Sequence, residues 1–182
     1  TPVLGCRING IKKTTIFKGW EYVEDFDGKV ISIGMKDGKY GILRVDGSCF
    51  LSPEYESINI DWSKKCISTK QGDKTTQILF FKQKGCWSRI PKGYTFCRRD
   101  YNLYVLHKDN KYAAINDNYE MIVPPFFDDV KVFDNIIIAS YKGQKGAVSR
   151  EYVTKEPYCD IMVPFKYDDV KEGEKGSFGH LQ

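Results

Sequence analysis

The chain has 182 residues, of which 41% are hydrophobic and 29% are charged, and its formal net charge is +4. This composition is typical of one globular domain, and no apolar run approaches the roughly 18 residues that a membrane helix needs. The aromatic content of 14%, with 12 Tyr and 11 Phe, favours β-sheet, because aromatic side chains pack well across neighbouring strands.

Residues 20–51 predict a β-meander. Runs rich in β-forming residues alternate there with three dipeptides, Asp27-Gly28, Asp37-Gly38 and Asp46-Gly47. Asp-Gly supplies the positive φ angles of a type I′ turn, so each dipeptide is predicted to join two antiparallel strands. No helical periodicity competes with this pattern.

The same unit returns downstream with variation. The segment Lys36–Ile42 corresponds to Lys108–Ala114 and to Lys142–Ala147, and each copy is followed by a corner that contains proline and aromatic residues. The prolines of these corners are Pro53, Pro124 and Pro164. The last copy carries an insertion near residues 154–160. A degenerate copy between the first two has Ile90-Pro91-Lys92-Gly93-Tyr94 at its corner.

These correspondences predict tandem β-hairpin repeats of about 33 to 40 residues that share one core. Within a single domain we place a partial repeat at 1–28, repeats at 29–62, 63–101, 102–133 and 134–171, and a tail at 172–182. The chain is expected to start and end inside a repeat. It is then either part of an open, twisted array or a closed, propeller-like ring in which residues 178–182 complete a sheet begun at the N-terminus.

The pattern K-D-G-K-Y-G-I … D-G … P-E-Y-E-S-I at residues 36–58 carries a family resemblance. With its echoes V-P-P-F-F-D-D-V and V-P-F-K-Y-D-D-V, it resembles the WG-repeat (KWG-repeat) family of bacterial proteins. The Trp-Gly pair of that family is Tyr40-Gly41 here, then Tyr112-Ala113 and Lys145-Gly146. The resemblance implies a β-hairpin repeat architecture and a binding or scaffolding role, and it brings no catalytic residues.

Residues 62–99, hereafter the basic segment, contain ten basic residues and one acidic residue, Asp73. Aromatic residues are interleaved with the cations, which suits a surface that stacks bases or holds an anionic polymer. Alternation along strands allows the opposite interpretation, with aromatic rings in the core and cations in water. The candidate partner-binding residues are Phe80, Phe81, Lys82, Lys84, Trp87, Arg89, Lys92, Tyr94, Arg98 and Arg99.

Metal and cofactor chemistry are not expected. The six cysteines, at positions 6, 49, 66, 86, 97 and 159, contain no C-x-x-C pair, and the histidines number two. Cys49 and Cys66 lie in apolar runs, so we predict reduced, packed thiols, with disulfide pairing as the alternative. The acid pairs Asp128-Asp129 and Asp168-Asp169 recur at one repeat position, which predicts carboxylates that close turns by accepting backbone N–H bonds.

No catalytic motif accompanies the repeat, since the sequence lacks a G-x-S-x-G elbow, a P-loop and a G-x-G-x-x-G loop. Cys97 beside Arg98 and Arg99 is a candidate for a lowered thiol pKa, but neither it nor His107 has an assignable catalytic partner. We therefore predict a non-catalytic module that binds another protein, with nucleic acid or an anionic glycan at the basic segment as the alternative. The oligomeric state stays open.

The first residues, Thr1-Pro2-Val3-Leu4-Gly5, show neither the basic nor the apolar region of an export signal. A cytoplasmic location is therefore slightly favoured, and export followed by removal of a signal is the alternative.

Overall fold

The structure, a computed structural model, describes residues 7–8, 11–12, 17–81, 87–173 and 178–181. Those residues form twenty β-strands, and no helix occurs among them. The prediction of an all-β protein built from tandem hairpin units is confirmed. Within the same residues no helix has the length and hydropathy needed to span a membrane.

Four antiparallel sheets of four strands follow one another along the chain, and in each the spatial order is the chain order. Two further strand pairs lie nearest the ends, β1 with β2 and β19 with β20. The first two strands are β1(Arg7–Ile8) and β2(Ile11–Lys12). The first sheet comprises β3(Tyr22–Val23), β4(Ile31–Lys36), β5(Lys39–Arg44) and β6(Cys49–Tyr55). The second comprises β7(Ser57–Asp61), β8(Cys66–Gln71), β9(Lys74–Phe80) and β10(Trp87–Arg89).

The third sheet comprises β11(Thr95–Asp100), β12(Leu103–Lys108), β13(Lys111–Ile115) and β14(Met121–Phe127). The fourth comprises β15(Asp129–Val132), β16(Ile137–Tyr141), β17(Gln144–Val148) and β18(Ile161–Tyr167), and the last pair is β19(Asp169–Glu172) with β20(Phe178–Leu181). The first strand of each sheet begins five to seven residues before the predicted start of the corresponding repeat. The reason is that this strand directly follows the corner of the preceding copy.

The chain divides into two compact units, unit 1 (Thr1–Asp61 and Cys66–Gln77) and unit 2 (Trp62–Lys65 and Ile78–Gln182). A core cluster of unit 1 is aromatic and contains Phe17, Trp20 and Phe26. The cores of unit 2 are mainly aliphatic. In one of them Ile122 and Val123 of the third sheet pack with Ile137 and Val148 of the fourth.

Tight turns join the two central strands of each sheet. Both residues of Asp37-Gly38, Asp109-Asn110 and Lys142-Gly143 have positive φ, as a type I′ turn requires. Asp27-Gly28 also has two positive φ angles, and the N–H of Lys29 bonds to the carbonyl of Phe26 across it.

Asp46-Gly47 corrects the prediction of three type I′ turns. Gly47 has φ +90°, but Asp46 does not have a positive φ. The N–H of Gly47 bonds to the Arg44 carbonyl, and the Asp46 carboxylate accepts bonds from the N–H and the hydroxyl of Ser48. The aspartate binds the following serine and does not adopt a positive φ, so of the two residues the glycine alone is left-handed.

A bulge recurs where the third and fourth strands of a sheet pair. In the first sheet Tyr40 pairs with Tyr55 and Ile42 with Leu51, so two residues of β5 span four residues of β6. The same two-to-four step occurs in the third and fourth sheets. By register, the position of Pro53 is occupied by Pro125 in β14 and by Phe165 in β18. Proline is tolerated there because a bulged residue of an edge strand does not need to donate a backbone N–H to the neighbouring strand.

An acidic residue at the start of each of three sheets accepts a hydrogen bond from the backbone of the turn that follows it. Glu21 accepts from the N–H of Asp37 at 2.9 Å, and Glu56 accepts from the N–H of Gly72 at 3.1 Å. Asp128 accepts from the N–H of Lys142 at 2.9 Å. For Asp128, therefore, the turn-closing role predicted for the acid pairs is confirmed.

Candidate functional site

None of the aromatic residues of the basic segment is exposed, and two of the six are buried. Phe80 and Phe81 are 6% and 5% exposed. The half-buried Trp87 packs on Phe80, with ring centroids 4.6 Å apart. Buried rings of this kind form core and are not available to stack on the bases of a nucleic acid. Among the described residues, this placement matches the interpretation in which the rings face the core.

The arginines at the end of the segment hold backbone carbonyls and acids of unit 2. Arg98 bonds to Asp100, with Nε 2.6 Å from the carboxylate, and to the carbonyl of Val130. Arg99 bonds to Asn102 at 3.0 Å, and its guanidinium lies 5.5 Å from the ring centroid of Tyr104. Both side chains are therefore engaged within the fold.

The other candidates of the segment differ in exposure. Arg89 and Lys92 are exposed, whereas Tyr94 is half-buried and its ring receives the Lys108 ammonium at 5.0 Å. Lys82 and Lys84 lie outside the described residues. In the described part of the basic segment the exposed cations are Lys64, Lys70, Lys74, Arg89 and Lys92, and none of the aromatic rings is exposed. The absence of exposed rings there does not favour the base stacking that the nucleic-acid alternative requires.

A polar cluster surrounds the fully buried Tyr104. Its hydroxyl donates to the carbonyl of Phe80 at 2.7 Å, while Arg99 and Asp117 approach each other at 3.9 Å. Burial, followed by the charge of Asp117, raises the pKa of Tyr104 well above its ordinary range. Nε of Arg99 and one carboxylate oxygen of Asp117 are buried without a hydrogen-bond partner among the described atoms.

The cysteine predictions need two corrections. Burial raises the pKa of Cys97 and outweighs the charge of Arg98, so the lowered pKa expected from the neighbouring arginines is wrong. Cys49 is exposed at the start of β6, whereas Cys66 is buried as predicted. No disulfide joins the four cysteines that the structure describes.

An apolar groove of about 860 Å³ lies in unit 2. Residues from the third and fourth sheets and from the loop that precedes β18 line it. The lining, hereafter the groove, consists of Lys111, Pro125, Phe126, Phe127, Tyr141, Lys142, Pro157, Cys159, Ile161 and Phe165. Volumes of this order are typical of ligand sites, which are mainly apolar with a few polar groups at fixed places.

Three rings form one wall of the groove. Phe127 and Phe165 stack with centroids 5.1 Å apart and an interplanar angle of 25°. Tyr141 meets each of them edge-on, at 6.4 Å and 74°. Phe127 is anchored in the core, because it is only 5% exposed. Stacked and edge-to-face pairs restrict the motion of their rings, so this wall is preformed.

Residue Phe165 fits in the wall because Gly146 lies behind it. A Cβ atom on Gly146 would come within 2.9 Å of the Phe165 ring and 2.5 Å of the Val163 carbonyl oxygen. The glycine that the repeat places opposite its bulge therefore makes room for the ring. A glycine at this position of the repeat thus also determines the position of a groove residue.

The loop between β17 and β18 distinguishes the fourth sheet. It covers residues 149–160, whereas residues 45–48 and 116–120 make the equivalent connections of the first and third sheets. Pro157 and Cys159 of this loop line the groove. The insertion predicted near residues 154–160 therefore supplies a wall of the cavity, and loops carried on a rigid sheet are common places for binding residues.

Apolar side chains are exposed at the groove. Phe126 is 51% exposed and Ile161 is 48% exposed. The next residue, Met162, is 51% exposed but does not line the groove, because neighbouring side chains of a strand point to opposite faces. Ile161 and Met162 are thus a matched pair with equal exposure and different surroundings.

Lysines supply the charge among the groove residues. The ammonium of Lys111 binds the carboxylate of Asp128, and this bond is the main reason that the pKa of Asp128 is lowered. The ammonium of Lys142 lies 5.3 Å from the ring centroid of Tyr141. Within the described part of the chain, no group of three or more His, Cys, Asp or Glu side chains could hold a metal ion.

Comparisons with known proteins add little. No family model and no curated protein matches the chain. Among solved structures, a variant of KlHsv2 with loop 6CD replaced by a Gly-Ser linker is 10% identical, with a TM-score of 0.32, over 66% of this chain and 45% of its own. Hsv2 from Kluyveromyces marxianus is 9% identical, with a TM-score of 0.34, over 84% of this chain and 54% of its own.

A third structure is a functionally unknown protein from Desulfotomaculum acetoxidans, which is 11% identical, with a TM-score of 0.27, over 84% of this chain and 59% of its own. The chain thus spans about half the length of the structures it resembles. At these TM-scores the similarity assigns no function. The fold and the groove define a class of protein: an all-β protein of tandem meander sheets with an aromatic-walled groove in unit 2.

Sequence reasoning did not identify the groove. Its residues come from two copies of the repeat and from the insertion, and no local motif joins them. One signal was present. The corners V-P-P-F-F and V-P-F-K-Y each contain two aromatic residues, whereas the corner P-E-Y contains one. The corner V-P-F-K-Y belongs to the copy that carries the insertion.

Proposed function

We propose that this chain is a non-catalytic binding module that holds a short, extended segment of a partner protein in the groove. The groove itself is the observation that carries the proposal. It is concave, its aromatic wall is preformed, and large apolar side chains remain exposed along it. Contiguous exposed apolar surface of this kind marks interaction sites on monomeric proteins.

The insertion also supports a binding role. A connection of twelve residues replaces one of four or five, and it contributes Pro157 and Cys159 to the groove. Long connections within compact sheets are more often functional than incidental. Membership of the WG-repeat family stays a prediction, and the binding role that it implies agrees with this proposal.

The test is a selection of short random peptides displayed on phage, with the wild-type chain as bait. Affinities of the selected peptides are then measured by fluorescence polarisation for two variants, Ile161→Asp and Met162→Asp. An aspartate in the groove would lose its hydration when a peptide binds. We expect Ile161→Asp to weaken binding at least about tenfold and Met162→Asp less than about twofold.

Both substituted side chains are about half exposed, so the two variants should fold equally well, and their melting temperatures check this. A third variant, Phe126→Ser, repeats the test at a second exposed apolar residue of the groove. The proposal is contradicted if no peptide is enriched, or if enriched peptides bind all the variants as they bind the wild type.

A further inference from the structure

We propose that the groove selects acidic, proline-containing peptides, an inference that rests on the proposed function and names its ligand class. Two observations carry it: the arrangement of the aromatic rings and the state of the two lysines.

The rings suit proline. Phe127 and Phe165 stack on each other, and Tyr141 stands edge-on to both, so the three rings form one aromatic surface of the groove. Aromatic-lined grooves bind polyproline II segments, whose proline rings pack on aromatic side chains and whose backbone is already extended. A preformed ligand loses less conformational entropy on binding than a flexible one.

One lysine of the groove is already neutralised. The Lys111 ammonium binds Asp128, whose other carboxylate oxygen accepts the backbone N–H of Lys142. By contrast, no carboxylate among the described residues lies within ion-pair distance of the Lys142 ammonium. This cation lies against the ring of Tyr141, so a ligand carboxylate next to a proline on that ring would meet it.

The charge that favours an acidic ligand is local to the groove. By sequence, unit 2 has 18 basic and 14 acidic residues, but eight of the 18 lie in the basic segment, so residues 100–182 have ten basic and 14 acidic residues. Among the groove residues the charged side chains are those of Lys111 and Lys142, with no acid. The attraction for an acidic ligand is therefore that of a direct ion pair and acts over a short range.

The experiment uses four synthetic fluorescent peptides measured against the full chain. The first repeats a unit of two prolines and one glutamate; in the others glutamine replaces glutamate, lysine replaces glutamate, or alanine replaces proline. We expect the glutamate peptide to bind about twofold to fivefold more tightly than the glutamine peptide, the range of an exposed ion pair. The lysine and alanine peptides should bind more weakly than the glutamine peptide.

Two variants assign the effect to the groove. Lys142→Gln should remove the difference between the glutamate and glutamine peptides, and added salt should shrink the difference for the wild type. Lys131→Gln is the control, since Lys131 is an exposed lysine of unit 2 that does not line the groove. It should leave the difference unchanged.

The inference is overturned if the three proline peptides bind equally, if Lys142→Gln leaves the glutamate preference intact, or if the alanine peptide binds as tightly as the glutamate peptide. Should library-selected peptides bind in a manner sensitive to Ile161→Asp while the proline peptides fail, the ligand class is wrong and the proposed function stands. Should neither set bind, both are wrong.

Discussion

The carboxylate of Asp128 is 2.9 Å from the backbone N–H of Lys142, the first residue of the turn that follows it in the fourth sheet. Glu21 and Asp37 have the same relationship in the first sheet, and Glu56 and Gly72 have it between β8 and β9. Copies that differ in sequence thus share one contact, a hydrogen bond from a turn N–H to a carboxylate at the start of the sheet. Tyr94 occupies the position before β11, and its ring is covered by Lys108 instead.

This contact predicts a defined acid sensitivity. The bond from Lys111 and the N–H of Lys142 hold the pKa of Asp128 below its ordinary value of 3.8. A lowered folded-state pKa gives stability that is present above the unfolded-state pKa and is lost as the pH falls through the folded-state pKa. The melting temperature of Asp128→Ala should therefore lie below that of the wild type at neutral pH, with the two values converging as the pH falls below about 4.

Thermal melts from pH 7 to pH 2 provide the measurement, and Glu54→Ala is the control, because Glu54 is an exposed acid on the edge strand β6. A constant difference between wild type and Asp128→Ala across this range would show that the carboxylate does not act through its charged form.

A second prediction concerns the glycine opposite the bulge. A Cβ atom on Gly41 would lie 2.5 Å from the Leu51 carbonyl oxygen and 2.9 Å from the nitrogen of Pro53, and both are backbone atoms. Gly41→Ala should cost about 1–3 kcal/mol in urea unfolding, as overpacking of a tight site does. The reciprocal change at the equivalent position, Ala113→Gly, should cost less, about 0.5–1 kcal/mol. Equal losses in the two variants would contradict the steric explanation.

A third prediction separates structural from free charge in the basic segment. Arg98→Ala removes bonds to Asp100 and to the Val130 carbonyl, and should cost about 1 kcal/mol after allowance for its partial exposure. Lys92→Ala, at an exposed site of the same segment, should cost less than about 0.5 kcal/mol. Differential scanning calorimetry compares the two, and a Lys92 effect as large as that of Arg98 would contradict this division.

A fourth prediction rests on the buried Tyr104. Tyr104→Phe leaves the Phe80 carbonyl without its donor and should cost about 1–3 kcal/mol at neutral pH. Because the folded-state pKa of Tyr104 is raised, its contribution is complete below the unfolded-state pKa and is lost as the pH rises above it. The advantage of the wild type over Tyr104→Phe should therefore shrink above about pH 10, which urea unfolding at pH 7, 9 and 11 would show.

The sequence was informative about the fold wherever local chemistry determines the outcome. Asp37-Gly38 is a type I′ turn because both residues tolerate positive φ, and the prolines of the corners lie where a bulge needs no donor. Asp46-Gly47 shows the limit of such reasoning. The same dipeptide forms a different turn because Ser48 gives the aspartate a local hydrogen-bond partner.

The groove could not be predicted from local sequence, because it depends on which faces of the third and fourth sheets pack together. Phe127 and Phe165 lie 38 residues apart in two different corners, and their stacking follows from the packing of the third and fourth sheets in unit 2. The basic segment left two interpretations open for a similar reason. Charge is visible in the sequence, but burial of Phe80 and Phe81 depends on the strand face to which each side chain points.

A last prediction joins the repeat geometry to the groove through Gly146. Gly41 and Gly146 are equivalent by register, and a Cβ atom on either would lie 2.5 Å from a bulge carbonyl oxygen, so their alanine variants should lose similar stability. Only at Gly146 would that atom also meet the ring of Phe165, 2.9 Å away, which it would displace from its stack with Phe127. Gly146→Ala should therefore alter the near-ultraviolet circular dichroism of the folded chain. It should also weaken the binding of peptides selected on the groove at least about fivefold, whereas Gly41→Ala should leave their affinity within about twofold of the wild-type value. Equal affinity for the two variants at a temperature where both are folded would mean that the groove does not depend on the position of the Phe165 ring.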